Sequence, residues 1–294
     1  MAAKKFDRKK EDVGNIIGLE HMNVLIGDQI KATLFYVKAL GFTRDPFMMT
    51  NVDNMWINLG RSQFHLPTGK PQVLRGRTGL VVSSHEKLLE RLKSAKKELQ
   101  GTKFRYSSDK KRKVIDVVCP WGNRFRCHEA GAFGKMRVGM PYIQFDVRVG
   151  TAGGIAGFYR EIMGAPSRVG RWDGAKAAIV QAGVTQNLIF REKRGPEAKF
   201  DGHHIQIYVV DFSGPYNRLL DRGLVSEESN QFQYRFVDIT DLKTGELLFK
   251  IDHEVRAMSH PMYGRPFINR NPDQHIRRFV DGYEQSAWLM PAQV

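Results

Sequence analysis

The chain has 294 residues, 41% of them hydrophobic, and a net charge of +15 at neutral pH. That length suffices for two ordinary domains, and no apolar run approaches the 18 or more residues of a membrane-spanning helix. Two cysteines, Cys119 and Cys127, exclude a disulfide framework, and the first ten residues lack the apolar core of a secretory signal, so a reducing, cytoplasmic setting and no membrane partner are expected.

The charge favours anionic partners: a small anionic substrate, nucleic acid or an acidic protein. Its clusters are short, at residues 4–10, 93–97 and 110–113, and read first as solvated faces. Residues 1–14 form a basic arm. Residues 19–26 (LEHMNVLI) read as a strand with His21 at its mouth, and similar strands start at Thr78, Tyr142 and His204. The starts lie 57, 64 and 62 residues apart, the mark of one supersecondary unit used four times. After the first strand, Ile30, Leu34, Val37 and Leu40 recur at helical spacing and Gly41 closes the helix. Strands follow at 42–51, 55–59 and 62–66. The second unit repeats the order, with a helix at 86–99 and strands at 114–118 and 124–128. The third helix carries residues 157–164 (GFYREIMG), matching residues 34–41 (LFYVKALG). The second unit ends in His128-Glu129 and the fourth in His253-Glu254. Odd units therefore resemble odd and even resemble even. The boundaries are a first pair of modules at 15–130, a linker at 131–140, a second pair at 141–255, and a tail at 256–294 with a short helix at 275–283.

Three features together resemble the vicinal oxygen chelate superfamily of glyoxalases, bleomycin- and fosfomycin-resistance proteins and extradiol dioxygenases. They are the Phe35-Tyr36 helix end closing at Gly41, its partner Phe158-Tyr159 closing at Gly164, and the turn from Cys119 to Arg124 (CPWGNR), with cysteine where the family has aspartate. The resemblance covers about residues 16–254. It implies an α+β chain of four βαβββ modules forming two glyoxalase-like domains with curved, open mixed sheets.

The resemblance also implies where metal ligands stand: at the start of a module's first strand and in the middle of its last. The first-strand places hold His21, Thr78, Tyr142 and His204. The last-strand places hold His65, Arg126, Phe190 and Phe249, or Ile251 in an alternative register, with no carboxylate among them. Pairing of neighbouring modules would leave two ligands in one cup and one in the other, too few for a catalytic metal. Pairing of the first module with the fourth, known in some two-domain dioxygenases of the superfamily, would gather His21, His65 and His204. The cofactor so implied is a divalent metal, Fe, Mn or Zn, and the activity a metal-dependent, oxidoreductase-type ring cleavage of a small anionic or catecholic substrate. Trp56 is a substrate wall or a core residue, and Arg126 binds a substrate anion or pairs internally. His128 and His253 lie one step from ligand places, as second-sphere acid or base. The alternative is a catalytically silent, basic binding or assembly subunit that kept its cup and lost its metal. A homo-oligomer is compatible with either.

Overall fold

The computed structural model describes residues 7–48, 51–134 and 136–270. Four modules follow one another. The first has β1 (Ile16–Asn23), α1 (Gln29–Ala32) prolonged by a π-helical segment (Thr33–Ala39), β2 (Thr43–Arg44), β3 (Asn54–Leu59) and β4 (Ser62–Pro67). The second has β5 (Gly76–Val82), α2 (His85–Ala95), β6 (Arg105–Asp109), β7 (Val114–Val118) and β8 (Arg124–Glu129). The third has β9 (Gly139–Val147), α3 (Ala152–Glu161), β10 (Ser167–Trp172), β11 (Ala175–Gln181) and β12 (Asn187–Glu192). The fourth has β13 (His204–Val209), α4 (Ser213–Leu220), β14 (Val225–Asn230), β15 (Gln233–Thr240) and β16 (Leu247–Ala257).

Local chemistry sets these boundaries. The Asp28 carboxylate accepts from Lys31 N and caps α1, and the Ser84 hydroxyl accepts from Lys87 N and caps α2. The two matching helix ends close at Gly41 and Gly164 with φ of +78° and +64°, a backbone only glycine adopts without strain. The strand expected across 42–51 is reduced to the two residues of β2, with 49–50 outside the described residues. The helix expected at 275–283 and the first six residues of the basic arm also lie outside them. Arg8–Glu11 of that arm forms a single 3-10 turn.

The strands form two eight-stranded mixed sheets, ordered β14-β15-β16-β13-β1-β4-β3-β2 and β10-β11-β12-β9-β5-β8-β7-β6. Within a module the first strand runs parallel to the last; between modules β1 pairs antiparallel with β13, and β5 with β9. The first module thus pairs with the fourth, and the second with the third. Residues 130–138 join two modules of one sheet instead of separating domains, and the crossings between sheets are 68–75 and 193–203. The two sheets therefore do not coincide with the sequence halves 15–130 and 141–255.

The main aromatic-rich core lies between the sheets and takes in the buried side of the helices. Phe35 of the first module meets Phe125 of the second at 5.7 Å between ring centroids, and Phe145 of the third meets Phe249 of the fourth at 5.6 Å. Alternate residues of each strand fill this core, and their neighbours point to the outer face. Among the described residues no helix is long and apolar enough to cross a membrane.

Candidate metal centre

Ladder registers define the outer face of the first sheet. His21 stands opposite Gln206 on β13 and opposite Gln63 on β4, and Asn23 stands opposite His65. Gln206 stands opposite Glu254 on β16, and Glu254 opposite Arg235 on β15. Side chains directly opposite one another share a face. A bulge at Glu20 interrupts the pairing of β1 just before His21, the kind of irregularity that re-aims a side chain.

His21, His65 and His204 converge on this face, and each offers a ring nitrogen, all within 4.8 Å of one another. Two nitrogens bound to one ion at about 2.0–2.2 Å each stand at most about 4.4 Å apart, so the cluster is within a few tenths of an ångström of a shared-ligand geometry. Both nitrogens of His21, and Nε2 of His65 and of His204, have no hydrogen-bond partner. Buried polar atoms are normally partnered, so this concentration points to a ligand held in common.

Burial is the main reason the three imidazoles stay neutral. It holds His21 well below the ordinary histidine range, His65 at about 3 and His204 at about 2, and the nearby Arg256 and Arg235 guanidiniums push the same way. Neutral imidazole is the form a cation ligates.

Supporting groups fix the cluster. Trp56 stacks on His65 with ring centroids 3.9 Å apart and meets His21 edge-on at 5.0 Å. The Asn23 carboxamide lies 2.7 Å from His65 Nδ1. The atom facing the ring is the amide nitrogen, which donates to a neutral Nδ1; with the amide nitrogen and oxygen exchanged, the oxygen would hold the proton on Nδ1 and leave Nε2 a lone pair for a cation. The sequence-derived substrate wall, Trp56, is thus placed against a candidate ligand.

One residue was missed from sequence. Glu254 Oε2 lies 3.4 Å from His204 Nε2, and the residue is only 4% exposed. Arg235 and Arg256 hold it, Arg256 at 2.5 Å. Arg256 also reaches Glu20 at 3.5 Å, and burial raises the Glu20 carboxyl to about 7 against the opposing pull of Arg256. The last-strand place of the fourth module is therefore Glu254, not Phe249 or Ile251, and it does carry a carboxylate. Phe249 and Phe190 pack on each other in the core, 5.8 Å between centroids. Thr78 also faces the core, donating to Met22 Sδ at 3.2 Å. His253, expected beside the ligands, is buried on the core side, stacked on Phe236 and 2.5 Å from the Tyr159 hydroxyl.

Arg126 stands on the other sheet, away from the histidines. It is bidentate to Asp116 at 2.8 and 3.0 Å and reaches Asp173 at 2.8 Å. The structure thus realises internal pairing for Arg126. His128 shares this second face and lies 3.0 Å from the Tyr142 hydroxyl.

The chain after β16 returns over the first face. Arg265 bonds Asp45 at 3.1 Å and Gln63 at 2.5 Å, Asn58 donates to the Ile268 carbonyl at 2.8 Å, and Tyr263 packs on Tyr208.

No protein-family model matches the sequence, and no curated protein matches it. Among solved structures, a Bacillus subtilis protein titled a "putative dioxygenase" superposes with a TM-score of 0.54 at 16% identity, over 83% of this chain and 86% of that one. Glyoxalase I from Zea mays superposes with a TM-score of 0.54 at 14% identity, over 86% of this chain and 95% of that one. With its two sheets of paired βαβββ modules and these neighbours, the chain has the fold of the vicinal oxygen chelate superfamily.

Proposed function

We propose that the outer face of the first sheet is the metal centre of a vicinal-oxygen-chelate enzyme, and that the enzyme is an extradiol-type dioxygenase of small catecholic substrates. The observation that carries this reading is the set of three imidazoles, His21 buried and His65 and His204 half-buried, with ring nitrogens that lie within 4.8 Å of one another and lack hydrogen-bond partners. His21, His65 and His204 hold a divalent Fe, Mn or Zn ion, with the Glu254 carboxylate beside it. Such an ion would supply Lewis acidity toward two neighbouring substrate oxygens; three histidines beside a carboxylate exceed by one imidazole the two-histidine, one-carboxylate set of non-haem iron oxygenases.

The chain's own residues do the rest. Asn23 and Trp56 hold His65 in orientation. Arg235 and Arg256 carry positive charge to the rim of the cluster, which favours an anionic substrate and keeps Glu254 in place. Segment 258–270, tied down by Arg265, shields the face from water.

The test is metal content and oxygen uptake. Protein purified without chelator and reloaded under anaerobic conditions should bind close to one equivalent of Fe(II), Mn(II) or Zn(II). The iron form should consume oxygen with catechol, and a His204→Ala variant should do neither. Failure to bind any of the three metals would leave the silent binding protein as the better account.

A further inference from the structure

We infer that a cavity of about 490 Å³ beside the histidine cluster is a substrate compartment, and that it takes an apolar, aryl-sized arm on the oxygen-chelating substrate. The inference rests on the metal-centre reading above and adds the shape and polarity of what that centre accepts.

The cavity is assembled from several distant parts of the chain. Leu19 comes from β1, Met136 and Val138 from the approach to β9 of the other sheet, Met140 from the start of β9 itself, and Phe267 from the returning segment. The modules do not build it alone, so it belongs to this chain's particular way of joining its sheets. Its volume falls in the range of pockets that enclose small organic ligands, about 300–1,000 Å³. Its walls are mainly apolar, and two of them are methionines, which adapt to the outline of a guest.

Its polar lining adjoins the cluster through Glu20, with the histidines and Gln206 just outside the lining. Glu20, Tyr208 and Arg265 line the cavity, and Glu20 Oε2 lies 3.5 Å from His21 Nδ1. Gln206 lies between them on β13: its neighbours on that face are His204 and Tyr208, and its ladder partners are His21 and Glu254. It is fully buried, yet both its amide nitrogen and its oxygen lack a partner. An unpartnered buried carboxamide costs stability unless something else bonds it. A substrate with chelating oxygens at the histidines and its body in the cavity passes Gln206 and supplies that bond.

The probes are catechol and 4-phenylcatechol, with binding read by calorimetry on zinc-loaded protein and by the ¹³C-methyl signals of methionine. 4-Phenylcatechol should bind at least about tenfold more tightly than catechol, a difference of about 1.4 kcal/mol. It should move the Met136 and Met140 methyls, assigned through Met136→Leu and Met140→Leu variants. At higher concentration it should move the same methyls in metal-free protein. Val184→Trp, at an exposed position on the cavity rim, should lower 4-phenylcatechol affinity about tenfold. Methyl signals that stay fixed with and without zinc overturn the compartment whatever the metal result. Methyl shifts in a protein that takes up no metal leave the compartment standing and sink the metal centre.

Discussion

On the outer face of the first sheet, the four places around the central strand pair hold His21, His65, His204 and Glu254. In the second sheet, Tyr142 faces Gly79 as His21 faces Gln206, so the same places hold Tyr142, Ile189, Arg77 and Arg126. The scaffold is shared and the chemistry opposite. The second face is mostly paired internally, with Arg191 Nε left over: Arg126 is bonded to Asp116 and Asp173, Arg77 lies 3.4 Å from Asp173, and the Tyr142 ring fills the space a side chain at Gly79 would need. The first face keeps ring nitrogens and a carboxamide buried and unpartnered. The first face carries ion pairs of its own, Glu254 with Arg235 and Arg256 and Arg265 with Asp45, yet leaves the histidine nitrogens and Gln206 beside them unpartnered. That selective gap is the physical argument for a ligand on the first.

Removing a side chain from each face should separate the two roles. His204→Ala should reduce divalent-metal affinity by at least about 100-fold, since three ligands are the usual minimum of a catalytic site, while circular dichroism stays that of the parent. The comparison breaks if the variant and the parent bind zinc equally. Asn23→Ala comes next. It frees the His65 ring without touching a ligand, and loss of such an orienting partner lowers metal affinity about 10–100-fold. Zinc titration against a chromophoric chelator measures both.

Arg126→Met should act in the opposite sense. Metal affinity should stay that of the parent, while urea unfolding shows a loss of about 1–3 kcal/mol, the usual cost of removing charged hydrogen bonds and stranding their partners. Asp116 is 42% exposed, which places the expected value toward the lower end. A metal affinity that fell with Arg126 would tie the two faces together and undo the contrast.

Much of this fold was legible in the chain because its signals are local. The Phe-Tyr helix ends and their closing glycines mark equivalent turns, and the spacing of first strands marks the repeat. His21 and His204 were readable because first-strand starts are easy to align, and His65 because its last strand follows the preceding one after only Gly60-Arg61. Glu254 was not, because counting fails where loops differ. His21 and His65 are 44 residues apart, but His204 and Glu254 are 50 apart, and part of the excess is the six-residue link at 241–246 where the first module has only Gly60-Arg61. A signal was present: Lys250, Asp252, Glu254 and Arg256 alternate with Ile251, His253, Val255 and Ala257, and period-2 alternation alone puts Glu254 outward and His253 inward. The cavity had no such signal, since its walls are brought together only by the crossed pairing and the returning segment.

The last expected effect concerns pH and belongs to the second face. His128 lies against Tyr142, with Arg126 and His85 nearby, and with Asp116 and Asp173 acting in the opposite sense. Burial first, then the Arg126 charge, lowers its pKa to about 4 in the folded protein, against about 6.5 in an unfolded chain. Above pH 6.5 neither state carries a proton there, and its contribution to stability is complete. Between 6.5 and 4 the unfolded chain binds a proton that the folded chain refuses, so stability falls as pH falls. Below about 4 both states are protonated and this contribution levels off. Other buried histidines titrate in the same window, so the informative quantity is a difference between variants. In metal-free protein, His128→Gln should unfold with a shallower dependence on pH between 6.5 and 4 than the parent, and with the same dependence between 7 and 8. Parallel curves across the whole range would show that His128 is solvated and that the second face is less completely closed than its ion pairs suggest.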